Sequence, residues 1–194
     1  MTSEPEQMST QELIQQLLSP DRAQTIDTFL ILGTSSINLH DTIADIGCGP
    51  GLFTVPLAKY LVSGKLYALD INDEMLEACR HRVGQTRMGN VEVLKCSEFE
   101  FPLDKGSLDG AFLGFVVQQS PDKPRLLRAV RELIHSKGWC TVLEWYRKET
   151  ETGPPLERRI DPPDLQRMAE TAGFRSVAWR DLNGEQYMMT MRNG

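Results

Sequence analysis

Ten residues decide how this chain folds, Thr42-Ile43-Ala44-Asp45-Ile46-Gly47-Cys48-Gly49-Pro50-Gly51. The short apolar run that ends at Asp45 predicts a central parallel strand. Gly47, Gly49 and Gly51 then permit a sharp turn and let the backbone lie against a ligand, because no Cβ is in the way. An apolar helix, predicted over Leu52 to Leu61, follows directly. A strand, a glycine turn and a helix in this order predict a nucleotide crevice at the carboxyl end of an open α/β sheet.

The spacing of the glycines separates two kinds of nucleotide site. A dinucleotide fingerprint reads G-x-G-x-x-G, whereas this loop reads G-x-G-x-G. The charge of Asp45, two residues before Gly47, would oppose a pyrophosphate and attract an ammonium group. The next predicted strand, Lys65 to Asp70, ends in a second carboxylate, a type of residue that binds ribose hydroxyls. A ligand with a ribose, an amino-acid group and no pyrophosphate fits both acids, and S-adenosylmethionine is such a ligand.

From about Ile43 to Tyr187 the chain resembles the class I S-adenosylmethionine-dependent methyltransferases. The glycine loop matches the first motif of that superfamily, and Asp70 matches its ribose-binding acid. Three further segments resemble its third, fourth and fifth strands: Asn90 to Lys95, Leu108 to Gly114 and Trp139 to Trp145. More narrowly, Glu144-Trp145 followed by Gly153 to Ile160 resembles a small prokaryotic branch related to the ubiquinone/menaquinone-biosynthesis and arsenite methyltransferases.

The predicted fold is a Rossmann-like α/β domain with helices on both faces of a mostly parallel sheet. Strands and helices alternate after the glycine loop, which favours parallel strands joined by right-handed crossovers. Helices are predicted over Asn72 to Val83, over Pro121 to Leu133 and from Pro162 to near Gly173. Asn183-Gly184, between two β-like runs, predicts an antiparallel hairpin. The resemblance implies seven strands in all.

The whole chain, residues 1–194, is expected to be a single domain. Residues 1–8 are predicted to be a mobile tail, and residues 9–33 a helical extension with helices over Gln11 to Leu18 and from Ser19-Pro20-Asp21 to about Leu32. Two interpretations of this extension stand. The resemblance implies that it folds over the cofactor, and the alternative is that it only covers the sheet.

Charge and hydropathy exclude several classes of partner. The net charge of −6 argues against a general affinity for nucleic acid. No apolar run approaches the ~18 residues of a membrane span, and Met1 to Gln7 is polar and acidic, unlike a signal peptide. We therefore expect a cytoplasmic protein with a small-molecule methyl acceptor and neither a nucleic acid nor a membrane as partner. The oligomeric state stays open.

The four cysteines lack the spacing of a zinc module, so no metal site is predicted. In a reducing compartment they are expected to be free thiols. Arsenite methylation would instead require cysteines to converge on the soft arsenic atom, and Cys48, Cys96 and Cys140 are the candidates. The three histidines are expected at the surface, with His135 in a turn.

The resemblance implies a set of cofactor-binding residues around the glycine loop and the ends of the strands. These are Asp45, Gly47, Cys48, Gly49, Gly51, Asp70, Ile71 and Gly114. At the adenine end, relatives often carry an acid just past the third strand, where this chain has Ser97 and then Glu98. Either the Ser97 hydroxyl or the Glu98 carboxylate can accept a hydrogen bond from the adenine amine. The product of the reaction would be S-adenosylhomocysteine.

The acceptor side is predicted at Gln118 and Trp145, with Glu144 as the candidate catalytic residue. Relatives often carry histidine at the position of Gln118, and glutamine cannot take up a proton. Glu144 lies at the carboxyl end of the predicted fifth strand, so its carboxylate is expected either to be desolvated with a raised pKa or to be paired with Arg147 or Arg158. Methyl transfer needs little acid–base chemistry, and positioning supplies most of the catalysis.

Two function classes therefore remain on sequence grounds. One is a small-molecule methyltransferase, and the other is a catalytically silent S-adenosylmethionine-binding sensor or scaffold module. A nicotinamide-dependent oxidoreductase fits the glycine spacing less well. Between the fifth strand and the last helix, Gly153-Pro154-Pro155 predicts a stiff connector, in which Arg158 and Arg159 are expected to be solvated rather than to bind an anion.

Overall fold

The computed structural model describes residues 8–20, 22 and 26–194. Within them, seven strands form one sheet of order β3-β2-β1-β4-β5-β7-β6. β7 pairs antiparallel with β5 and β6, and the other pairings are parallel. The strands are β1 Thr42–Ile46, β2 Lys65–Asp70, β3 Val91–Lys95, β4 Leu108–Gly114, β5 Ile134–Trp145, β6 Phe174–Asp181 and β7 Gln186–Asn193. The predicted parallel sheet with a C-terminal antiparallel hairpin is confirmed.

Helices cover both faces of the sheet. The helices are α1 Thr10–Leu17, α2 Thr28–Thr34, α3 Thr54–Tyr60, α4 Asp73–Gly84, α5 Lys123–Leu133 and α6 Pro162–Ala172, with 3₁₀ turns at Val117–Gln119 and Leu156–Arg158. Apolar side chains of α5 and α6 pack with Ala44 and Val142 on one face. Those of α2 and α3 pack with Ile43 and Phe112 on the other face. Alternate residues of each central strand thus enter two separate cores, as expected for a sheet that is buried on both faces.

The N-terminal extension differs from its prediction. Met1 to Gln7, Asp21 and residues 23–25 lie outside the described residues, and so does part of the second predicted helix. A bend at Ile26 precedes α2, whose N-terminus is capped by the Asp27 carboxylate, which accepts from Leu30 N at 2.9 Å. The helix runs through Gly33 instead of ending before it, because the N–H and the hydroxyl of Ser35 both bond to the Ile31 carbonyl.

Strand β5 begins earlier than predicted, at Ile134 rather than Trp139. The pairing with β4 shifts register between Leu108 and Gly110, and this shift accommodates the extra residues. His135 therefore lies in a strand and not in a turn, with Nε2 3.0 Å from Asp109 Oδ1. Its side chain is exposed, as expected. The remaining predicted helices begin and end within two residues of their observed bounds. No described helix combines the length and the apolar character needed to cross a bilayer.

Candidate functional site

A cavity of about 410 Å³ lies at the carboxyl edge of the sheet. Its walls are the glycine loop after β1, the residues that follow β2 and β3, the segment after β4, and side chains of the N-terminal extension. Open α/β sheets bind ligands at this edge, because the loops after neighbouring parallel strands meet there. The cavity is therefore the candidate functional site.

The glycine loop adopts a backbone that other residues rarely adopt. Gly47, Gly49 and Gly51 have φ angles of +67°, +53° and +87°. A Cβ on Gly47 would lie 2.6 Å from Val116 Cγ2, and one on Gly51 would lie 3.1 Å from Cys79 Sγ. A Cβ on Gly49 would meet nothing closer than a leucine methyl at 4.0 Å. Packing thus excludes a Cβ at Gly47 and would crowd one at Gly51, whereas Gly49 leaves open space on the cavity side.

Asp70 ties the glycine loop to the turn after β2. Its Oδ2 accepts from Gly49 N at 2.8 Å, and its Oδ1 accepts from Asn72 N at 2.9 Å. Asn72 in turn caps α4, accepting from Glu74 N and Met75 N. The Asp70 carboxylate lines the cavity and is 9% exposed. Because a carboxylate has about four acceptor positions, Asp70 keeps capacity for ligand hydroxyl groups.

The N–H groups of the glycine loop are used within the protein. Cys48 N donates to Leu69 O at 2.9 Å, and Gly51 N donates to Cys48 O at 3.0 Å. With Gly49 N bonded to Asp70, three loop donors already have partners. A phosphate cradle needs such donors to point at the ligand, so this loop is poorly suited to a pyrophosphate.

Asp45 lies behind the glycine loop rather than on the cavity surface. Its side chain is 1% exposed, and Oδ2 accepts from the Thr54 hydroxyl at 2.7 Å. Burial raises the pKa of Asp45 to about 7, although the Thr54 hydrogen bond acts in the opposite direction. Neither Asp45 nor Gly51 lines the cavity. Direct contact of Asp45 with an ammonium group therefore stays a prediction, and its observed contacts hold the start of α3.

Eight of the predicted cofactor-binding positions are brought together around the cavity. They are Gly47, Cys48, Gly49, Asp70, Ile71, Ser97, Glu98 and Gly114. At the predicted adenine end, both Ser97 and Glu98 reach the cavity, and the Ser120 hydroxyl donates to Glu98 Oε1 at 3.0 Å. Their contact with a cofactor stays a prediction.

The segment after β4, residues 115–120, forms the opposite wall of the cavity. Phe115 has a φ of +64°, and its N–H donates to Leu143 O at 2.9 Å. The centroids of the Phe115 and Trp145 rings are 6.2 Å apart. The Arg22 guanidinium carbon lies 5.5 Å from the centroid of the Phe115 ring. Trp145 and Gln118 do not line the cavity, whereas Phe115, Gln119, Ser120 and Arg22 do. The sequence also favoured Gln119 as a pocket residue beside Gln118, but its interpretation did not include Ser120 or Arg22.

Glu144 is wholly buried at the end of β5. Its exposed fraction is 0%, and Oε1 accepts from Gln118 N at 3.0 Å. Burial raises the pKa of Glu144 to about 8, while the backbone N–H of Gln118 acts to lower it. Among the ion pairs of the described residues, none joins Glu144 to Arg147 or Arg158. The desolvated alternative therefore holds, but the side chain does not reach the cavity, and its catalytic role stays a prediction.

Arg159 is buried, contrary to the expectation of a solvated side chain. The loop after β5 folds over the guanidinium group, which lies 5.1 Å from the centroid of the Trp145 ring. Its donors bond to oxygens of that loop: Lys148 O at 2.6 Å, Thr150 Oγ1 at 2.7 Å, Pro154 O at 2.8 Å and Thr152 O at 3.2 Å. Carbonyl groups of a folded loop need such donors. Arg158 is exposed, as expected.

The cysteines do not form the site that arsenite binding would need. Cys48 and Cys96 line the cavity, but Cys140 lies inside the core with no exposed surface. Across residues 8–20, 22 and 26–194, no group of three or more histidine, cysteine or acidic side chains can hold a metal ion. The described cysteines are free thiols, as predicted.

Helix α1 lies over the glycine loop. Ser9 and Glu12 form a capping box at its start, and Leu13 and Leu17 face the cavity. The atom nearest to a Cβ on Gly49 is Leu17 Cδ1. No residue of α1 is buried, so the helix adds little to the cores. Its position favours the interpretation that the extension covers the ligand site.

Comparisons with known proteins agree with this geometry. A family model described as a methyltransferase domain matches residues 44–142. The demethylmenaquinone methyltransferase of Lactococcus lactis subsp. lactis is 28% identical over 104 residues, 53% of this chain and 41% of that protein. The Bacillus subtilis enzyme of the same name is 28% identical over 106 residues, 54% of this chain and 46% of that protein. The chain thus spans about half the length of these curated relatives.

A solved structure gives the same fold over nearly the whole chain. The crystal structure of an S-adenosylmethionine-dependent methyltransferase from Aquifex aeolicus matches with a TM-score of 0.88 at 24% identity. The match covers 97% of this chain and 100% of that one. At this identity the likeness concerns the fold.

Proposed function

The chain belongs to the methyltransferase domain family, and from this premise we propose that it transfers the methyl group of S-adenosylmethionine to a small-molecule acceptor. The observation that carries the proposal is the hydrogen bond from Gly49 N–H to the Asp70 carboxylate, which joins the glycine loop to the end of β2. This hydrogen bond puts a fixed carboxylate beside open space at the carboxyl edge of the sheet. Ribose hydroxyls need such an acceptor.

The residues around the cavity fit S-adenosylmethionine better than a dinucleotide. Asp70 would hold the ribose, the glycine loop would lie against the amino-acid group, and Ser97 or Glu98 would accept from the adenine amine. A pyrophosphate would meet the Asp70 carboxylate and a loop in which three N–H donors are already bonded. These contacts support a ligand that has a ribose and lacks phosphate.

When bound, the cofactor supplies a methyl group on a positively charged sulfur, and the protein has to position the acceptor beside it. No histidine, lysine or tyrosine stands among the described residues that line the cavity. Burial raises the pKa of the Cys96 thiol there to about 11, so this thiol is a poor proton acceptor at neutral pH. Positioning alone can lower a barrier by ~7 kcal/mol or more. We therefore propose catalysis by positioning.

The acceptor is proposed to be apolar or aromatic. Phe53, Phe101, Phe115 and Leu126 line the cavity and offer apolar surface to it. The names of the relatives specify demethylmenaquinone as their acceptor, and a related quinol would match these side chains. The net charge of −6 supports the further proposal that the enzyme does not act on nucleic acid. A cytoplasmic location is also proposed.

An acceptor screen tests the function. Purified protein is mixed with S-adenosylmethionine and with quinols, phenols, thiols or amines, and released S-adenosylhomocysteine is measured by mass spectrometry. We expect release above the acceptor-free background with at least one acceptor, and a fall of about tenfold or more in Asp70→Ala. Asp73→Ala is the matched control, because Asp73 lies three residues away, is exposed and pairs with Lys95.

The two function classes give different results in this screen. Cofactor binding without release for every acceptor would favour the silent sensor or scaffold module. Equal loss in Asp70→Ala and Asp73→Ala would argue against a ribose site at the end of β2.

A further inference from the structure

A buried acid and a turn on the cavity wall are joined at the ends of β4 and β5. Glu144 has no exposed surface, and its Oε1 accepts from Gln118 N. Gln118 is the central residue of the 3₁₀ turn Val117–Gln119. The next two residues, Gln119 and Ser120, line the cavity. Glu144 thus supports the cavity wall from the protein interior, without lining the cavity itself.

Two oxygen atoms at this contact lack hydrogen-bond partners. Glu144 Oε2 and Gln118 Oε1 are both buried, and neither has a partner among the described residues. Buried polar atoms are usually hydrogen-bonded, so such a pair requires an explanation. An ionised carboxylate and an amide oxygen can only accept, whereas a protonated carboxyl group also has an O–H to donate. A proton on Glu144 would remove a buried charge and add the missing kind of donor.

Burial outweighs the groups that favour the ionised form of Glu144. The backbone N–H groups of Gln118, Trp145 and Val117 act to lower its pKa, but burial raises it by more. Tyr187 lies directly opposite in β7, and its hydroxyl donates instead to Ile160 O at 2.7 Å. From α5, Lys123 donates to Ser120 O at 3.1 Å, and its charge only weakly lowers the pKa of Glu144, against the larger effect of burial. Asp161 and Asp164 act on Tyr187 and raise its pKa. Their charges are negative, so they cannot pair with an ionised Glu144. No described side chain therefore provides a cation paired with Glu144.

We propose that Glu144 is a positioning residue that, as a neutral acid, holds the Val117–Gln119 turn on the cavity wall. It does not take a proton from the acceptor. The turn is closed on its other side by Gln119 Nε2, which donates to Phe115 O at 2.8 Å, and Ser120 extends the network to Glu98. The proposal rests on the proposed function only in taking this cavity as the site of methyl transfer.

Two variants separate a neutral acid from an ionised one. Glutamine at position 144 keeps a carbonyl oxygen for Gln118 N and an N–H donor in place of the acid O–H, so Glu144→Gln mimics the neutral form. Glu144→Leu has a similar volume and leaves the Gln118 N–H without an acceptor. Amide hydrogen exchange of residues 115–120 and thermal unfolding are measured for both variants and the wild type.

Exchange reports whether the turn is held. In Glu144→Leu we expect exchange in residues 115–120 to accelerate by about tenfold or more, since an unpaired buried N–H favours local opening. In Glu144→Gln we expect it to stay within about threefold of the wild type. Equal acceleration in both variants would overturn the proposal, because it would show that the turn needs a carboxylate.

The pH dependence of unfolding reports the charge. The pKa of Glu144 is raised in the folded protein, to about 8, so the folded state binds the proton more tightly than the unfolded state. Stability from this group is therefore full at low pH and is lost as pH rises from about 4.5 to about 8. Over this pH window we expect the unfolding temperature of Glu144→Gln to rise relative to that of the wild type. Above the window, the difference between the two temperatures should stay constant. A difference that is already constant within the window would overturn the proposal.

The turnover of Glu144→Gln gives a further check. A collapse of turnover with unchanged exchange would identify Glu144 as a base and overturn the positioning role. If the wild type itself neither binds S-adenosylhomocysteine nor turns over, the proposed function fails. Exchange and unfolding still decide the role of Glu144 in that case, because neither measurement needs a ligand.

Discussion

The two walls of the cavity, the glycine loop at residues 47–51 and the segment at residues 115–120, are held by different means. The glycine loop takes its shape from three positive φ angles and from Asp70, which follows 19 residues later at the end of the next strand. The second wall depends on Glu144, which is 26 residues from Gln118 and comes from another strand. Both walls therefore need an acid from the next strand in the chain. They differ in that three glycine φ angles shape the first wall, whereas a 3₁₀ turn shapes the second.

The largest expected effect is at the point where the two walls touch. Gly47→Ala should lower the free energy of unfolding by about 2–4 kcal/mol, because a strained φ and a clash with Val116 act together. Gly49→Ala is the matched control, with a similar φ and free space around its Cβ. Denaturant unfolding of both variants measures the difference.

A second substitution separates the two causes at Gly47. Val116→Ala, made in the Gly47→Ala background, should relieve the clash and restore the stability lost to it. The destabilisation that remains should come from the backbone strain. Equal destabilisation by Gly47→Ala and Gly49→Ala would mean that the walls do not press on each other at this point.

The next effect concerns the glycine-loop wall alone. Asp70→Ala should weaken the binding of S-adenosylhomocysteine by about 1.5–3 kcal/mol, the range for hydrogen bonds to a charged group. Glu98→Ala, which removes another carboxylate of the same cavity, should have a smaller effect, because Ser97 lies beside it. Calorimetry on folded variants measures both affinities, and a larger loss in Glu98→Ala would reverse the assigned roles.

The loop after β5 provides a test on the other side. Arg159→Met should lower the free energy of unfolding by about 1–2 kcal/mol, because four loop oxygens lose a donor. Limited proteolysis should then cut within residues 147–158 sooner than in the wild type. Arg158→Met is the control, since Arg158 is exposed. Identical cleavage of the two variants would show that the buried guanidinium does not order the loop.

The smallest expected effect is at helix α1. Leu17→Ala should weaken the binding of S-adenosylhomocysteine by about 0.5–1 kcal/mol, since a half-buried leucine gives up part of its apolar contact with the ligand. Gln16→Ala, on the exposed face of the same helix, should bind as the wild type does. Equal affinities for all three proteins would indicate that α1 only covers the sheet.

The glycine-loop wall could be predicted from the sequence because its determinants are local. The glycine spacing fixes the loop, and the strand that ends at Asp70 fixes the place of the acid. The alternation of strands and helices then gives the parallel sheet, and Asn183-Gly184 gives the hairpin. Each of these signals lies within a few consecutive residues, so tertiary contacts were not needed to interpret it.

The second wall could be predicted only in part. The 3₁₀ turn directs Gln119 into the cavity and Gln118 into the interior, a difference of one residue that no sequence pattern marks. The burial of Glu144 could have been predicted from the alternation of side chains along β5. This alternation places Glu144 on the same face as Val142, which lies in the core under α5 and α6. The burial of Arg159 depends on how the whole loop folds back.

Calorimetric titration of the wild-type protein with S-adenosylhomocysteine and, separately, with NAD tests the central claim most directly. The claim is that the cavity formed by the glycine loop and Asp70 accepts an adenosyl ligand without a pyrophosphate. Saturable heat with S-adenosylhomocysteine and none with NAD is the predicted result, because the loop N–H groups are bonded within the protein. Saturation by NAD and no binding of S-adenosylhomocysteine would contradict the claim.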